Sequence, residues 1–367
     1  MHLRRLAFTF SLVATLVVVA CGPPSLGTAT GYNDTWTFDG QMWTDRSTQD
    51  RPPARRAGMF AFDAARGVAV LFGGEDFEGK MLDDTWTWDG RNWTMRSPKR
   101  HPSARDGAVG AYDSARQVVW LFAGFSARSS DGRPILQRDI WKWDGNEWAN
   151  VTPRSSPPVL SYSQGYPNVV REAAGASWRG PAMSFDGASN NVVVVGLFMS
   201  PAALEVFETW TWDGVAWTVT ADAPQPPGYL FYDPSAMQVV FVADDRPDAS
   251  LQGLPPRTYK LFVWDGSAWS VSDPMPQDPN RNGLSGQGST YDPVDRVLMT
   301  FGGAAPNSCE DHLTSVAVAE TWRWGGAGWT LLDPPIAPPA RLSTMMVWDS
   351  TRQQVVMFGG AAKEACP

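Results

Sequence analysis

The sequence predicts an all-β fold of six blades around an axis, each an antiparallel sheet of four strands: a six-bladed β-propeller. Three observations lead there. An aromatic hairpin motif recurs six times, a second small-and-apolar pattern alternates with it six times, and the composition favours turns over helices. Of 367 residues, 19 are Trp, 34 Gly and 30 Pro. Gly and Pro together make about 17% of the chain against a usual ~12%, and the charged fraction of 19% falls below the usual ~25%. Such a chain reads as many short strands joined by tight turns, not as a helix bundle. A hydrophobic fraction of 43% supplies a large core and argues against disorder.

The aromatic motif is aromatic-x-aromatic, Asp or Gly, Gly, two residues, Trp. It runs from Trp36, Trp86, Trp141, Trp210, Phe262 and Trp322 to Trp43, Trp93, Trp148, Trp217, Trp269 and Trp329, with starts 50, 55, 69, 52 and 60 residues apart. Aromatics at i and i+2 share one face of a strand, Asp-Gly reverses the chain, and Trp opens the return strand. Each motif is therefore a hairpin, strands c and d, with an aromatic face it cannot bury alone; neighbours must stack on it. Sixteen of the 19 Trp fall in these hairpins at equivalent places, which assigns them to blade cores and not to a sugar platform.

Between these motifs lies a run of small or aromatic residues ending in Asp, a short turn, and an apolar run. The Asp residues are Asp63, Asp113, Asp186, Asp233, Asp292 and Asp349. The apolar runs suit strands buried on both faces, so this unit is the inner hairpin, strands a and b. The chain opens with an outer hairpin at Trp36 and finishes with an inner one at Gly360. The last blade is thus expected to close with the N-terminal outer hairpin and the C-terminal inner hairpin, leaving no long edge free.

Three of the six apolar runs end in paired glycines, Gly73-Gly74, Gly302-Gly303 and Gly359-Gly360. With the ~50-residue period, these residues resemble the kelch, galactose-oxidase-like propellers over residues 32–360. The resemblance implies the fold; propellers host unrelated functions, so it names no activity.

In such a ring the a–b and c–d turns lie on one face and the d–a and b–c connections on the other. The first set is short and uniform here, the second long and varied, so binding is expected on the second face and at the channel mouth. Arg55, Arg105 and Arg341 each lie eight residues before a strand-a Asp, with Arg179 one residue off that register. They read either as an anion-binding ring or as a repeat arginine that ties blades together, the second being favoured. Trp178, outside the motif, and Tyr162 and Tyr166 in the same long connection are candidates for ligand stacking. Asp278-x-Asn280-x-Asn282-Gly283 matches the front of a calcium loop, but Ser289 stands where that loop needs a Glu. Asn, Asp, Pro and Gly also simply form loops. The acidic stretch Glu75-Asp76-Phe77-Glu78 reads as a solvated loop.

Residues 1–20 carry Arg4 and Arg5 and then the apolar run Leu6–Ala20, too short to span a bilayer but suited to a signal peptide. Val18-Val19-Ala20-Cys21 resembles a bacterial lipobox, which implies cleavage before Cys21, its acylation, and anchoring in the cell envelope; residues 21–31 then form a tether and 32–367 the propeller. In that setting Cys309 and Cys366, each six residues after a glycine pair in neighbouring blades, are expected to form a disulfide. Asn33, Asn92 and Asn150 begin Asn-x-Thr triplets without meaning for a bacterial protein.

The formal net charge of −8, or −10 without residues 1–20, disfavours nucleic-acid binding. Three His argue against a His-rich metal centre. No phosphate loop, Gly-x-Ser-x-Gly elbow or His-Glu-x-x-His motif occurs. The expectation is a monomeric, non-enzymatic scaffold without cofactor that binds a protein or glycan. The resemblance leaves a sialic-acid-type sugar isomerase, using Arg and an acid at the channel mouth, as the alternative. A copper oxidase is disfavoured, since no His falls in a strand, and a purely adhesive surface protein is the third class.

Overall fold

The computed structural model describes residues 30–128, 134–154, 181–199, 205–224, 228–244, 259–272, 287–306, 315–325 and 328–362. The expected hairpins form where the aromatic spacing placed them. Blade 1 comprises Met59–Asp63, Val68–Phe72, Thr85–Trp88 and Trp93–Arg96 as strands a to d. Blade 2 takes Val109–Asp113, Val118–Phe122, Ile140–Trp143 and Trp148–Asn150, and blade 3 Ala182–Asp186, Asn191–Met199, Glu205–Trp212 and Trp217–Asp222. Blade 4 takes Gly228–Asp233, Gln238–Asp244, Tyr259–Trp264 and Trp269–Ser272, and blade 5 Gly288–Asp292, Val297–Phe301, Thr321–Trp324 and Trp329–Leu332. Blade 6 joins Met345–Asp349 and Gln354–Phe358 to Thr35–Phe38 and Trp43–Asp45 from the other end of the chain. Every pairing is antiparallel, and each strand a touches the strand a of both neighbours, which closes a ring of six. The fold is a six-bladed β-propeller.

The core lies between blades, as facing aromatic and branched side chains require. Strand b alternates its apolar residues to the two neighbours: Val192 and Val194 pack on blade 2, whereas Val193 and Val195 pack on blade 4. The Trp that opens strand d reaches back to the preceding blade. Its indole N–H donates to a Thr hydroxyl beside the first aromatic there: Trp43 to Thr321, Trp93 to Thr35, Trp148 to Thr85, Trp269 to Thr209. In two blades the Thr position holds Ile140 or Leu261, and the matching Trp217 and Trp329 N–H groups are buried without a partner.

All six strand-a aspartates are buried and cap their own turns; Asp63, for example, accepts from the Arg66 backbone N–H and side chain. In blades 1, 2 and 6 the turn Arg then crosses to the next blade. Arg66 donates to the Gln117 carbonyl, Arg116 to those of Asn190 and Asp213, and Arg352 to those of Gly67 and Asp89. Blades 3 and 4 carry Ser189 and Ala236 at that place. In blade 5 the Arg sits one residue later, and Arg296 turns back to Asp233 of blade 4.

All twelve a–b and c–d connections contain four residues, whereas the b–c and d–a connections within or between whole blades range from five to 31. The two faces of the ring are therefore built to different rules: one of repeated tight turns, the other of unequal excursions.

Candidate functional site

The excursion face is organised by the arginines that recur in the sequence. Arg55, Arg105 and Arg341 are fully buried. Each guanidinium forks onto a carboxylate of its own blade: Arg55 onto Asp84 at 2.6 and 2.7 Å, Arg105 onto Asp139 at 2.5 and 2.9 Å, Arg341 onto Asp34 at 2.6 and 2.7 Å. Further N–H groups donate to backbone carbonyls, in Arg55 those of Pro53 and Gly73, and one in Arg105 to the Ser103 hydroxyl. The arginine backbone faces the other way. The carbonyls of Arg105, Arg341 and Arg55 accept from Gly74, Gly303 and Gly360 of the preceding blade. That approach explains the paired glycines: a Cβ on Gly73 would lie 2.6 Å from the Arg105 carbonyl oxygen, and both glycines of the pair have positive φ.

Each arginine is thus a two-sided tie, with its main chain on one blade and its side chain on the next. The carboxylates are held below the usual Asp range. Burial pushes each upward, but the Arg hydrogen bonds and charge, with an indole N–H, together pull harder. Four of the five N–H groups of Arg55 and of Arg341, and all five of Arg105, are engaged within the protein, so blade assembly accounts for the recurrence of these arginines.

Reading the sequence by its Trp spacing missed the acid. Asp34, Asp84 and Asp139 lie two residues before the first Trp of their hairpins and accept its indole N–H. Glu208 and Glu320 do the same for Trp210 and Trp322. In blade 4 both members change together, to Lys260 and Phe262. An acid two residues before an aromatic, in five hairpins of six, is the signal that would have found it.

The acidic stretch after Gly74 is solvated only towards its end, at Glu78. Glu75 is buried and pairs with Arg56 at 2.7 Å, because two backbone hydrogen bonds join the same residues. Phe77 covers Gly31, where a Cβ would lie 2.0 Å from the nearest phenyl carbon. Thr30 and Gly31, expected to end the tether, instead pair with Ala362 and Ala361, and the Arg341 guanidinium lies 4.2 Å over the Tyr32 ring. This ribbon occupies the b–c position of blade 6. Similar ribbons extend the b–c connections of blades 2 and 5, Phe125–Arg128 with Pro134–Leu136 and Ala304–Pro306 with Ser315–Ala317.

The ring is uneven. Blades 6, 1 and 2 carry the Arg–Asp tie and the crossing turn Arg. The longest d–a connection, between Asn150 and Ala182, enters blade 3, and other long connections fall between Phe122 and Ile140, Asp244 and Tyr259, Ser272 and Gly288, and Phe301 and Thr321. Trp178, Arg179, Tyr162, Tyr166, Asp278, Asn280, Asn282, Cys309, Cys366 and Cys21 lie outside the described residues. Among the described residues no cluster of three or more His, Cys, Asp or Glu side chains could hold a metal ion.

No family model matches the chain, and no curated protein matches it by sequence. Among solved structures it is similar to that of YjhT, with a TM-score of 0.53 and 12% identity over 85% of this chain and 94% of the other. A polysaccharide lyase, a PL25 ulvan lyase bound to a GlcA–Rha3S unit, aligns with a TM-score of 0.42 and 10% identity over 83% of this chain and 74% of that one. At these identities the first likeness carries the propeller fold alone.

Proposed function

We propose that this protein is a non-enzymatic binding scaffold of the bacterial cell envelope, anchored through acylated Cys21 and engaging a protein or glycan through the excursion face of blades 3 to 5. The observation that carries this reading is the contrast in connection lengths. Twelve turns of four residues on one face indicate a fixed frame, and excursions of five to 31 residues on the other mark where a frame is free to vary. The Arg–Asp ties lie in blades 6, 1 and 2, while the two longest excursions, 151–181 and 302–320, lie beyond them. The isomerase alternative drew on Arg55, Arg105 and Arg341, and each of these already holds a carboxylate of its own blade.

The test is to replace the connection 151–181 with a copy of the 12-residue connection 97–108 and to compare capture from envelope extract and from a glycan array. An unchanged melt with lost capture supports the reading. Retained capture, together with its loss on substitution of turn residues such as Val215 or Met237, places binding on the opposite face and overturns it.

A further inference from the structure

We infer that the excursion face is the membrane-proximal face of the anchored protein, so that its ligand is met in the thin layer directly above the bilayer. The inference rests on the reading of Cys21 as the acylated residue and adds to it the direction in which the propeller points.

The exit point of the tether is fixed by described residues. Thr30 and Gly31 pair with Ala362 and Ala361, the Tyr32 N–H donates to the Gly360 carbonyl, and Phe77 of blade 1 closes over Gly31. Because the N-terminal strand enters blade 6 as strand c, the chain leaves through that blade's b–c position, on the face of the excursions. Only residues 22–29 separate this point from Cys21, and none of them is charged.

Eight residues span at most about 30 Å when fully extended. A coil of eight residues has a typical end-to-end distance of about 16 Å. The five-residue strands alone give the ring a depth of about 17 Å, to which turns and excursions add on both sides. To turn the excursion face away from the membrane, the tether would have to run the whole depth of the ring while almost fully stretched. With the excursion face toward the membrane no such stretch is required. The chain's net negative charge argues that the bias comes from the tether and not from attraction to an anionic lipid surface.

The experiment uses the full chain, acylated in cells and reconstituted into vesicles that carry quencher-labelled lipid headgroups. A dye is attached through Glu78→azidophenylalanine on the excursion face, or through Val215→azidophenylalanine on the turn face; both residues are exposed. Neither change touches the native cysteines, and matching melts confirm folding. The expected result is several-fold greater quenching at 78 than at 215, and loss of that difference when a long Gly/Ser insert lengthens the tether. Acylation with equal quenching at both positions overturns the orientation while leaving the anchor intact. A bias that survives the insert overturns the tether as its cause. Absence of acyl incorporation, with Cys21→Ser behaving as wild type, overturns the anchor and the orientation together.

Discussion

Asp139 shows how one side chain is asked to do several jobs. It takes a guanidinium on one side and an indole on the other, while burial opposes its charge. Asp139→Asn leaves Arg105 buried without its counter-charge, which should cost about 3–5 kcal/mol in denaturant unfolding. Because Asp34, Asp84 and Asp139 all have lowered folded-state pKa values, their contribution is fully present above the unfolded value. It is lost as pH falls through the folded values. The melting temperature should therefore drop steeply below about pH 4, and less steeply in Asp139→Asn. Thr300 is the opposite case. Its buried hydroxyl has no partner, so Thr300→Val should stabilise by about 1 kcal/mol in the same measurement.

At the scale of the element, the six a–b turns repeat a backbone and not a sequence. The residue before strand b has positive φ in every blade, yet only blade 1 supplies a glycine there, Gly67. The others use Gln117, Asn190, Met237, Arg296 and Gln353. Met237 is exposed and gains nothing from its side chain, so Met237→Gly should raise stability by about 0.5–1 kcal/mol in urea unfolding. The hairpins were legible in the sequence because Trp-x-Trp and Asp-Gly are local and each acts within a few residues. The Arg–Asp ties were half legible. The arginines keep a fixed distance from a strand-a Asp, but their partners are set by the fold, 29 residues away in blade 1 and 307 in blade 6. The loop around Phe77 was misread for the same reason, since its companion Gly31 belongs to another blade.

For the whole molecule, closure decides whether there is a fold at all. Deleting residues 342–367 removes the inner strands of blade 6, strips Thr35–Phe38 of its partner, and exposes the apolar sides of blades 5 and 1. The shortened chain should show no cooperative thermal transition by circular dichroism; a melt at the full-length temperature would disprove closure by the two ends. Ring order was readable from the count of hairpins alone, because an odd outer pair at one end and an odd inner pair at the other have one economical solution. What the excursions hold was not readable that way, since they follow no period.

The Asp34–Arg341 pair also sets a clock. These two residues lie 307 positions apart, so the first hairpin is made long before anything exists to cover its strand c edge. At a synthesis rate of about 5–20 residues per second, that edge waits roughly 15–60 s for its partner strand. For that interval Trp36 and Phe38 belong to an unprotected strand on a nascent chain, and the ring cannot close until its last strand has emerged. Holding the chain unfolded until its synthesis is finished, as export in an extended form does, removes the hazard at its source.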